Sequence, residues 1–562
     1  MKYLIYIARI IVGSVFVVSG LIKANDTLGF SYKLEEYFLP NSLGSFWTIF
    51  EPYALPLAIL VCVAEVVLGL SLLFGTKYKL TVVSISAFLI FFGFLTYYTA
   101  QCNPHEIVTY VDEMGETITT NRECVLDCGC FGDALKGSLG RSLTPWESFK
   151  KDMVLLFFTL FLFLGWKSQK INNESRDKLI IIGSLIFTAF FGGYVFGWWM
   201  PLSFIAIASL LYIIIKWFYV RKGREWVVIA MLVAISSAFI WYTLTYLPVK
   251  DYRPYAVGNN LPELMKSSDD YKEEIMKFET TRLMAQYSDA IRNETMAEVQ
   301  LDSLYVISND TIRRDLFDAK KEEITYRYED LIYAKADSLA NDSLKRANLL
   351  PPVYASMFYL QNDSSGVREN FSSTRYSNEK LYKNWNFIYV MINKETGERV
   401  EVEKKNFIEE EWTKKGFEKQ NPSTFLETAG YEPKIPLDFD FNDDSINQDV
   451  LHSEEYTLLV VSWDMNMTNV KAINKLKELY AHSLEKGYNF HVATSRDYLV
   501  EDFKKKYDVT FDFASADEKI LKTIVRSNPG VVLLKGGTVY KKWDQHRIPN
   551  PKKLDRKISK IK

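Results

Sequence analysis

The chain has 562 residues, 48% of them hydrophobic, and its 67 basic residues nearly balance its 69 acidic ones. A net charge of −2 provides no overall positive field, which excludes a protein that binds nucleic acid through its bulk charge. The length predicts three or four domains. Long apolar runs occupy residues 1–250 and charged segments occupy residues 251–562, so we expect a membrane half followed by a soluble half.

Seven apolar segments are long enough to cross a bilayer, which takes about 20 helical residues. They lie near residues 3–22, 53–74, 78–100, 150–167, 178–197, 200–219 and 226–247. No small-residue cleavage site follows the first segment, so we interpret it as a retained helix. Lys and Arg residues in the connections after the second, fourth and sixth spans favour a cytoplasmic N-terminus. Seven crossings then place the C-terminal half, and the loop between spans three and four, outside the cytoplasm.

Two charged residues, Arg9 and Glu65, lie inside the first and second predicted spans. Ionisable groups in a membrane are costly and normally face a partner or a cavity. Because the two residues lie at similar depth when counted from the cytoplasmic ends, a buried Arg9–Glu65 ion pair is the favoured interpretation. The alternative is a proton or quinone pathway, and quinone is the one cofactor that we consider.

Four of the five cysteines lie in the loop of residues 101–149, called the cysteine loop below. A hairpin of Glu106–Tyr110 against Thr117–Thr120 would return Cys102 to the neighbourhood of Cys124. This permits a Cys102–Cys124 disulfide and leaves Cys128 and Cys130 as a second pair. The leading hypothesis is a redox relay that uses all four thiols; a purely structural disulfide and a zinc site with His105 remain open. No metal site is assigned.

The soluble half begins with a charged stretch over 261–350, in which sparse apolar residues recur at helical spacing. We expect helices there, with a short strand near Leu304–Ile307. A β-hairpin is predicted from Asn386–Asn393 and Arg399–Val402, and an irregular connector over Thr424–Pro436. We regard 261–350 as a solvated helical surface, or alternatively as an arm that binds a partner.

The last segment alternates strands and helices. Strands are predicted near 456–461, 489–493, 531–534 and 539–543, with helices at 469–484, 498–506 and 516–525. This order, with Pro529 before the final hairpin, resembles a thioredoxin fold, and the resemblance implies a cis Asn528–Pro529 bond. No cysteine follows residue 130, so the domain lacks a dithiol. Trp463 and Pro529 are its candidate partner-binding residues; a fold kept for packing or assembly is the alternative.

The membrane half also resembles a known family. Arg9, the run Ser19-Gly20-Leu21-Ile22-Lys23, the run Glu65–Gly69 and the motif Asp127-Cys128-Gly129-Cys130-Phe131-Gly132 are similar to the DoxX/MauE group of bacterial membrane proteins. The resemblance covers about residues 1–170, and together with the soluble half it looks like a DoxX-family architecture of Bacteroidetes-type bacteria. It implies a four-helix, redox-associated unit of the inner membrane. MauE-type members are linked to maturation of a disulfide-rich periplasmic methylamine dehydrogenase.

The predicted fold is an α-helical membrane bundle of about seven helices, the first four DoxX/MauE-like, plus a periplasmic α+β region that ends in an α/β thioredoxin-like fold. The predicted domains are the bundle with its cysteine loop (1–170), three further helices (171–250), a charged, mainly helical region (251–380), a small β-containing connector (381–450) and the cysteine-free domain (451–562). The predicted function is thiol–disulfide chemistry or maturation of envelope proteins at the bacterial inner membrane. The predicted partners are lipid, envelope proteins and a membrane complex, with no nucleic acid. The alternative is a non-enzymatic assembly subunit.

Overall fold

A computed structural model describes the chain in segments. They are residues 2–102, 107–111, 115, 117–125, 129, 131–135, 142–166, 174–218, 224–302, 310–362, 368–372, 385–393, 396, 398–409, 412–419, 424–428, 430–435, 444–467 and 469–561. The chain forms two compact units. One joins Met1–Leu261 with Phe439–Lys562, and the other is Pro262–Asp438.

The first unit begins with a helical bundle. Its helices are α1 (Lys2–Asn25), α2 (Thr27–Phe38), α3 (Ala54–Phe74), α4 (Tyr78–Ala100), α5 (Pro145–Leu164), α6 (Glu174–Thr188), α7 (Met200–Phe218) and α8 (Trp226–Thr245). A 3-10 turn, Trp47–Tyr53, leads into α3, and a π-helical turn, Ala189–Val195, extends α6. Among the described residues, six helical stretches are long and apolar enough to cross a membrane. They correspond to six of the seven predicted spans.

The remaining predicted span is helix α5, which is absent from those six because Glu147, Lys150, Lys151 and Asp152 lie in its first two turns. Helix α5 nevertheless packs along α4. At one end the Tyr78 hydroxyl donates to the Leu162 carbonyl at 2.8 Å, and at the other the rings of Tyr97 and Phe149 lie 5.4 Å apart. The two helices are therefore antiparallel neighbours over most of their length.

Helices α1 and α3 approach each other closely because glycines line their contact. A Cβ on Gly69 would lie 2.7 Å from the Gly13 carbonyl oxygen, and one on Gly20 would lie 2.9 Å from the Glu65 Cβ. Small residues at such contacts let helix backbones come close in a membrane. This antiparallel register decides which charged residues of α1 face those of α3.

The cysteine loop contains the hairpin predicted for it. Strand β1 (Ile107–Val111) pairs antiparallel with β2 (Thr117–Asn121), and Val111 lies opposite Thr117. The hairpin prediction is confirmed to within a residue of its predicted ends.

The second unit combines a long helical pair with a sheet. After the short helix α9 (Leu261–Met265) come α10 (Ser268–Asp302) and α11 (Asp310–Ala347). These two pack antiparallel through Leu283, Ile332 and Ala336. The helices expected over 261–350 are confirmed, while the strand predicted near Leu304–Ile307 lies outside the described residues.

The sheet of the second unit has six strands: β3 (Val353–Asn362), β4 (Arg368–Ser372), β5 (Trp385–Asn393), β6 (Arg399–Glu403), β7 (Phe417–Lys419) and β8 (Thr424–Thr428); helix α12 (Lys404–Glu409) follows β6. The predicted hairpin is confirmed as β5 paired with β6. The irregular connector predicted over Thr424–Pro436 is wrong at its start, because residues 424–428 form β8 against the distant strand β3. Such a pairing depends on a partner that local sequence does not reveal.

The C-terminal part of the first unit is a five-stranded sheet flanked by helices. Its elements are α13 (Asp444–Leu451), β9 (Thr457–Val461), α14 (Val470–Lys486), β10 (Asn489–Thr494), α15 (Val500–Tyr507), β11 (Asp512–Ser515), α16 (Glu518–Ile524), β12 (Gly530–Lys535), β13 (Thr538–Trp543) and α17 (Pro551–Ile558). The strand order is β11-β10-β9-β12-β13, with the first three parallel and the final hairpin antiparallel.

The predicted elements of this part are confirmed in order and near position, and the Asn528–Pro529 bond is cis. Three elements were not predicted: the edge strand β11 and the helices α13 and α17. Strand β11 has four residues, too few to show a clear alternating pattern.

Candidate functional site

The first feature of the site is a disulfide between Cys102 and Cys124. The two Cα atoms lie 5.8 Å apart. This confirms the pairing that the hairpin prediction allowed. Because both sulfurs are bonded to each other, neither is available as a thiolate ligand, so a four-thiolate zinc site is incompatible with this state. Cys128 and Cys130 lie outside the described residues, and their pairing remains a prediction.

The irregular segment that follows the hairpin, residues 122–125, anchors the cysteine loop to the bundle. The Glu123 backbone N–H donates to the Asn41 carbonyl at 3.0 Å, and the Arg122 guanidinium donates to the Ser42 carbonyl at 2.8 Å. Val125 is buried in a cluster with Tyr37 and other apolar residues around α2. The backbone next to Cys124 is therefore held by main-chain and core contacts.

The centre of the cysteine motif lies against helix α2. Gly129 is buried with a φ of +63°, a left-handed conformation that glycine adopts without steric cost. A Cβ placed on Gly129 would lie 3.6 Å from the Phe30 ring and 3.7 Å from the Lys33 side chain. Gly129 therefore lies against helix α2, beside Phe30 and Lys33.

Phe131, the fifth residue of the motif, connects the cysteine loop to the fifth predicted span. Its side chain is 5% exposed, and its ring lies 6.1 Å from Phe191 and 5.0 Å from Phe196. Phe191 belongs to the π-helical turn and Phe196 directly follows it; such turns are frequent at functional sites. The helices beyond the four-helix pattern therefore have a structural role, since they form one wall of the pocket that holds Phe131.

Below the loop lies a buried ion pair that differs from the predicted one. Lys23 Nζ contacts both carboxylate oxygens of Glu65, at 2.6 and 2.8 Å, and donates to the Ser19 hydroxyl at 3.0 Å. The side chains of Lys23 and Glu65 are 5% and 8% exposed. Lys23 lies just past the predicted end of the first span but is in the last turn of α1, and its long side chain reaches Glu65 on α3.

The predicted Arg9–Glu65 pair is wrong. Arg9 is fully buried near the opposite end of α3, where its guanidinium donates to the carbonyls of Leu72 and Leu73 at 3.0 Å each. It thereby donates to two carbonyls of the last turn of α3, where helix carbonyls lack the usual partners of the helix interior; the Leu72 carbonyl also accepts from the Gly75 backbone N–H at 3.2 Å. Glu65 lies seven residues before Leu72, a distance of about 10 Å along a helix. The prediction failed because depth counted from the segment ends does not give the register between two helices.

A small cavity lies beside the Lys23–Glu65 pair and has a volume of about 30 Å³. Its polar lining comes from three helices and consists of Ser19, Lys23, Glu65, Lys151 and Asp152. Four phenylalanines dominate the rest of the wall: Phe16, Phe30, Phe88 and Phe92. A cavity of roughly 10–15 Å³ holds one water molecule, so this cavity has room for water.

The C-terminal sheet domain is attached to helix α2 on the face adjoining the one that contacts Gly129. The Arg526 guanidinium contacts both carboxylate oxygens of Asp26, with separations of 2.9 to 3.2 Å. The Lys522 ammonium lies 4.6 Å from the centre of the Tyr32 ring. Burial by itself would raise the pKa of Asp26. The positive charge of Arg526, and to a smaller extent that of Arg253, has the opposite and larger effect, so the pKa of Asp26 is below its ordinary value.

A second ionic cluster joins the exit of the last membrane helix to the same domain. Asp251 accepts from Arg253 at 2.7 and 2.9 Å and from Lys542 at 2.9 Å. Burial raises the pKa of Asp251, but Arg253 and Lys542 together lower it below the ordinary range. Burial lowers the pKa of Lys542 to about 8, against the opposing effect of Asp251. Asp26, Asp251, Arg526 and Lys542 were not found by sequence reasoning, because the partners lie hundreds of residues apart.

The candidate partner-binding residues of the C-terminal domain lie on two neighbouring loops. The Asn528 side chain donates to the Asp464 carbonyl at 2.6 Å, which ties the segment before Pro529 to the residue after Trp463. Trp463 is half-buried at the end of β9. This contact brings the two loops together.

Comparisons with known proteins give one match. A family model described as "Methylamine utilisation protein MauE" matches residues 1–105. These residues include helices α1 to α4, the Lys23–Glu65 pair and Cys102, and stop short of the remaining loop cysteines. No curated protein and no solved structure matches the chain. Among the described residues, no group of three or more His, Cys, Asp or Glu side chains is arranged to hold a metal ion.

Proposed function

We propose that the chain is an inner-membrane protein that supports thiol–disulfide chemistry during maturation of envelope proteins. Cys128 and Cys130 are the exchanging pair, and Cys102 and Cys124 are the resolving or relay pair. The observation that carries this proposal is the Cys102–Cys124 disulfide, because it places an oxidised pair in the same anchored loop as the Cys-Gly-Cys motif. The match of residues 1–105 to the MauE family model adds support.

In this proposal the loop faces the periplasm. Seven crossings and a cytoplasmic N-terminus give that orientation, and the antiparallel packing of α5 along α4 supports counting α5 as a crossing. The cluster around Arg9, which includes Asp177 and Lys216, lies at the end of the bundle that would face the cytoplasm. A Lys- and Arg-rich cytoplasmic side agrees with the positive-inside tendency.

The C-terminal domain is a cysteine-free, thioredoxin-like module that recognises a partner protein through Trp463 and Pro529. Three parallel strands followed by an antiparallel hairpin, with a cis proline before that hairpin, support this assignment. Since no cysteine follows residue 130, the domain contributes recognition and the cysteine loop contributes the sulfur chemistry.

The test is to trap cysteine oxidation states in cells with a thiol-alkylating mass tag, under reducing and under oxidising challenge. We expect Cys128 and Cys130 to change state between the two conditions. Cys62, a buried free thiol in α3, provides a matched control, since a Cys62→Ser variant should leave the pattern of the loop cysteines unchanged. A single oxidation state of the pair under every condition would reject the redox proposal.

The second candidate is a non-enzymatic assembly subunit whose cysteines form a static brace. The long pair α10 and α11 favours it, because two helices of 35 and 38 residues bury only a narrow apolar strip and expose Phe278, Tyr326 and Tyr333. Under this alternative a Cys128→Ser/Cys130→Ser protein retains function, whereas a chain without residues 260–562 loses it. The opposite pattern would reject the assembly role.

A further inference from the structure

The end of helix α8 brings the C-terminal domain to the level of the membrane surface. Helix α8 is long and apolar enough to cross a membrane; Tyr242 lies in its last turn and Tyr246 directly follows it. Aromatic residues at such positions lie among lipid headgroups. The Arg547 guanidinium of the C-terminal domain lies 3.7 Å from the centre of the Tyr246 ring and 5.5 Å from that of Tyr242. Arg547 therefore lies at the headgroup level, and its side chain is half-exposed.

Two further features bring positive charge to the same part of the domain. The Lys475 ammonium donates to the carbonyl of His546, the residue before Arg547, at 3.1 Å. Helix α17 begins at Pro551, so the Cα atoms of Arg547 and Lys552 are at most about 18 Å apart, even along a fully extended chain. The first turn of α17 is therefore no farther than that from a residue at the headgroup level.

Helix α17 has a buried face and a basic face. Leu554 is fully buried in the core of the C-terminal domain, and the Asp555 carboxylate lies 2.7 Å from His482 Nε2. The opposite face carries four exposed basic residues, which recur at i and i+4 in two adjacent rows and are called the basic face below: Lys552 with Arg556, and Lys553 with Lys557.

The charge of the basic face is not neutralised within the domain. In the part of the chain that the structure describes, none of its four side chains forms an ion pair. Asp555, the single carboxylate of α17, is paired with His482 instead. Asp544 is 1% exposed and accepts from the backbone N–H groups of His546 and Arg547. Like charges at i and i+4 destabilise a helix, so binding of an outside anion stabilises α17.

We propose that the basic face, together with Lys475 and Arg547, binds the phosphate groups of anionic phospholipids in the leaflet around the end of α8. Charge complementarity favours this ligand, because clustered lysine and arginine side chains are attracted to an anionic lipid surface. Continuity with the membrane also favours it, because Arg547 lies on the aromatic ring that follows a membrane-crossing helix. The contact holds the C-terminal domain against the bilayer, in addition to the Asp26–Arg526 pair. It does not depend on the thiol–disulfide function.

The test compares amide hydrogen exchange of residues 546–561 in the full-length protein, reconstituted in nanodiscs of two compositions. One composition is phosphatidylcholine alone, and the other is phosphatidylcholine mixed with phosphatidylglycerol. We expect exchange to be about fivefold slower or more in the anionic nanodiscs, since each basic residue near such a surface contributes about that factor to binding. The difference should disappear at high salt concentration, because salt screens the attraction.

Two double variants, each removing two charges from the C-terminal domain, isolate the surface. Lys552→Gln/Arg556→Gln removes one row of the basic face and should abolish most of the lipid effect. Lys505→Gln/Lys506→Gln is the matched control on α15; among the described residues these two lysines contact no membrane helix, so the effect should remain. Exchange in neutral nanodiscs that equals that of the unmodified protein verifies that α17 stays folded. If it does not, Arg547→Gln makes the same test outside the helix.

Inorganic phosphate distinguishes a lipid headgroup from a free anion. Added to neutral nanodiscs, and compared with sodium chloride at the same ionic strength, it should not slow exchange of residues 546–561. Protection by phosphate equal to that by anionic lipid would assign the surface to a soluble anion and overturn the proposal. Equal exchange in neutral and anionic nanodiscs would also overturn it and leave the basic face to an acidic protein segment. An equal loss of the lipid effect in the α15 control would show that the attraction is not local to α17.

Discussion

The most direct test of the architecture is removal of the Lys23–Glu65 ion pair. Both side chains are more than nine-tenths buried, and the ammonium contacts both carboxylate oxygens. Replacing Lys23 with Met leaves the Glu65 carboxylate buried without its counter-ion. Removing one partner of a buried pair costs about 3–5 kcal/mol, so we expect Lys23→Met to lower the free energy of unfolding by that amount.

The measurement is an unfolding titration of the purified protein in detergent, followed by tryptophan fluorescence. Lys33→Met is the matched control, because Lys33 also forms a Lys–Glu contact at 2.7 Å, but with side chains 30% and 31% exposed. Exposed pairs contribute about 1 kcal/mol or less. The double variant Lys23→Met/Glu65→Leu should recover most of the loss, since it removes both charges. Equal losses for Lys23→Met and Lys33→Met would refute the argument from burial.

Three further predictions follow from contacts outside the membrane helices. Arg526→Ala leaves Asp26, whose side chain is 26% exposed, without its counter-ion; we expect a loss of about 2 kcal/mol and faster proteolytic release of the C-terminal domain, whereas an unchanged rate would mean that the contact contributes nothing. The pKa of Asp251 is lowered in the fold, so its stabilisation is complete above the ordinary value of 3.8 and is lost as pH falls below it. The free energy of unfolding, measured as the pH is lowered, should show this loss. The loss should be smaller in the Asp251→Asn variant. Finally, Cys102→Ser/Cys124→Ser opens a loop with a sequence separation of 22, which we expect to cost about 3 kcal/mol and to increase hydrogen exchange in the hairpin; unchanged exchange would argue against a bracing role.

Local patterns in the sequence were sufficient for most of the secondary structure. Long apolar runs predicted the membrane helices because backbone groups in lipid must be satisfied within the segment. Alternation around Gly115 predicted the hairpin that brings Cys102 to Cys124. The order of strands and helices after residue 456, with a proline before the last hairpin, predicted the C-terminal elements and the cis bond. Each of these features is set by neighbouring residues.

Partner choice was decided only by the tertiary structure. Glu65 pairs with Lys23 rather than Arg9, because close contacts at Gly20 and Gly69 fix the register of α1 against α3. The strand β8 formed where the sequence indicated an irregular connector, because its partner lies about 70 residues earlier in the chain.

The charges that hold the C-terminal domain to the bundle depend on the fold in the same way. Asp26 and Arg526 are 500 residues apart in sequence, and Asp152 appeared in the sequence only as one of several charges at the start of a helix. Apolar periodicity is a local property that a sequence displays directly. The partner of a buried charge depends on helix register and domain placement, which exist only once the chain has folded.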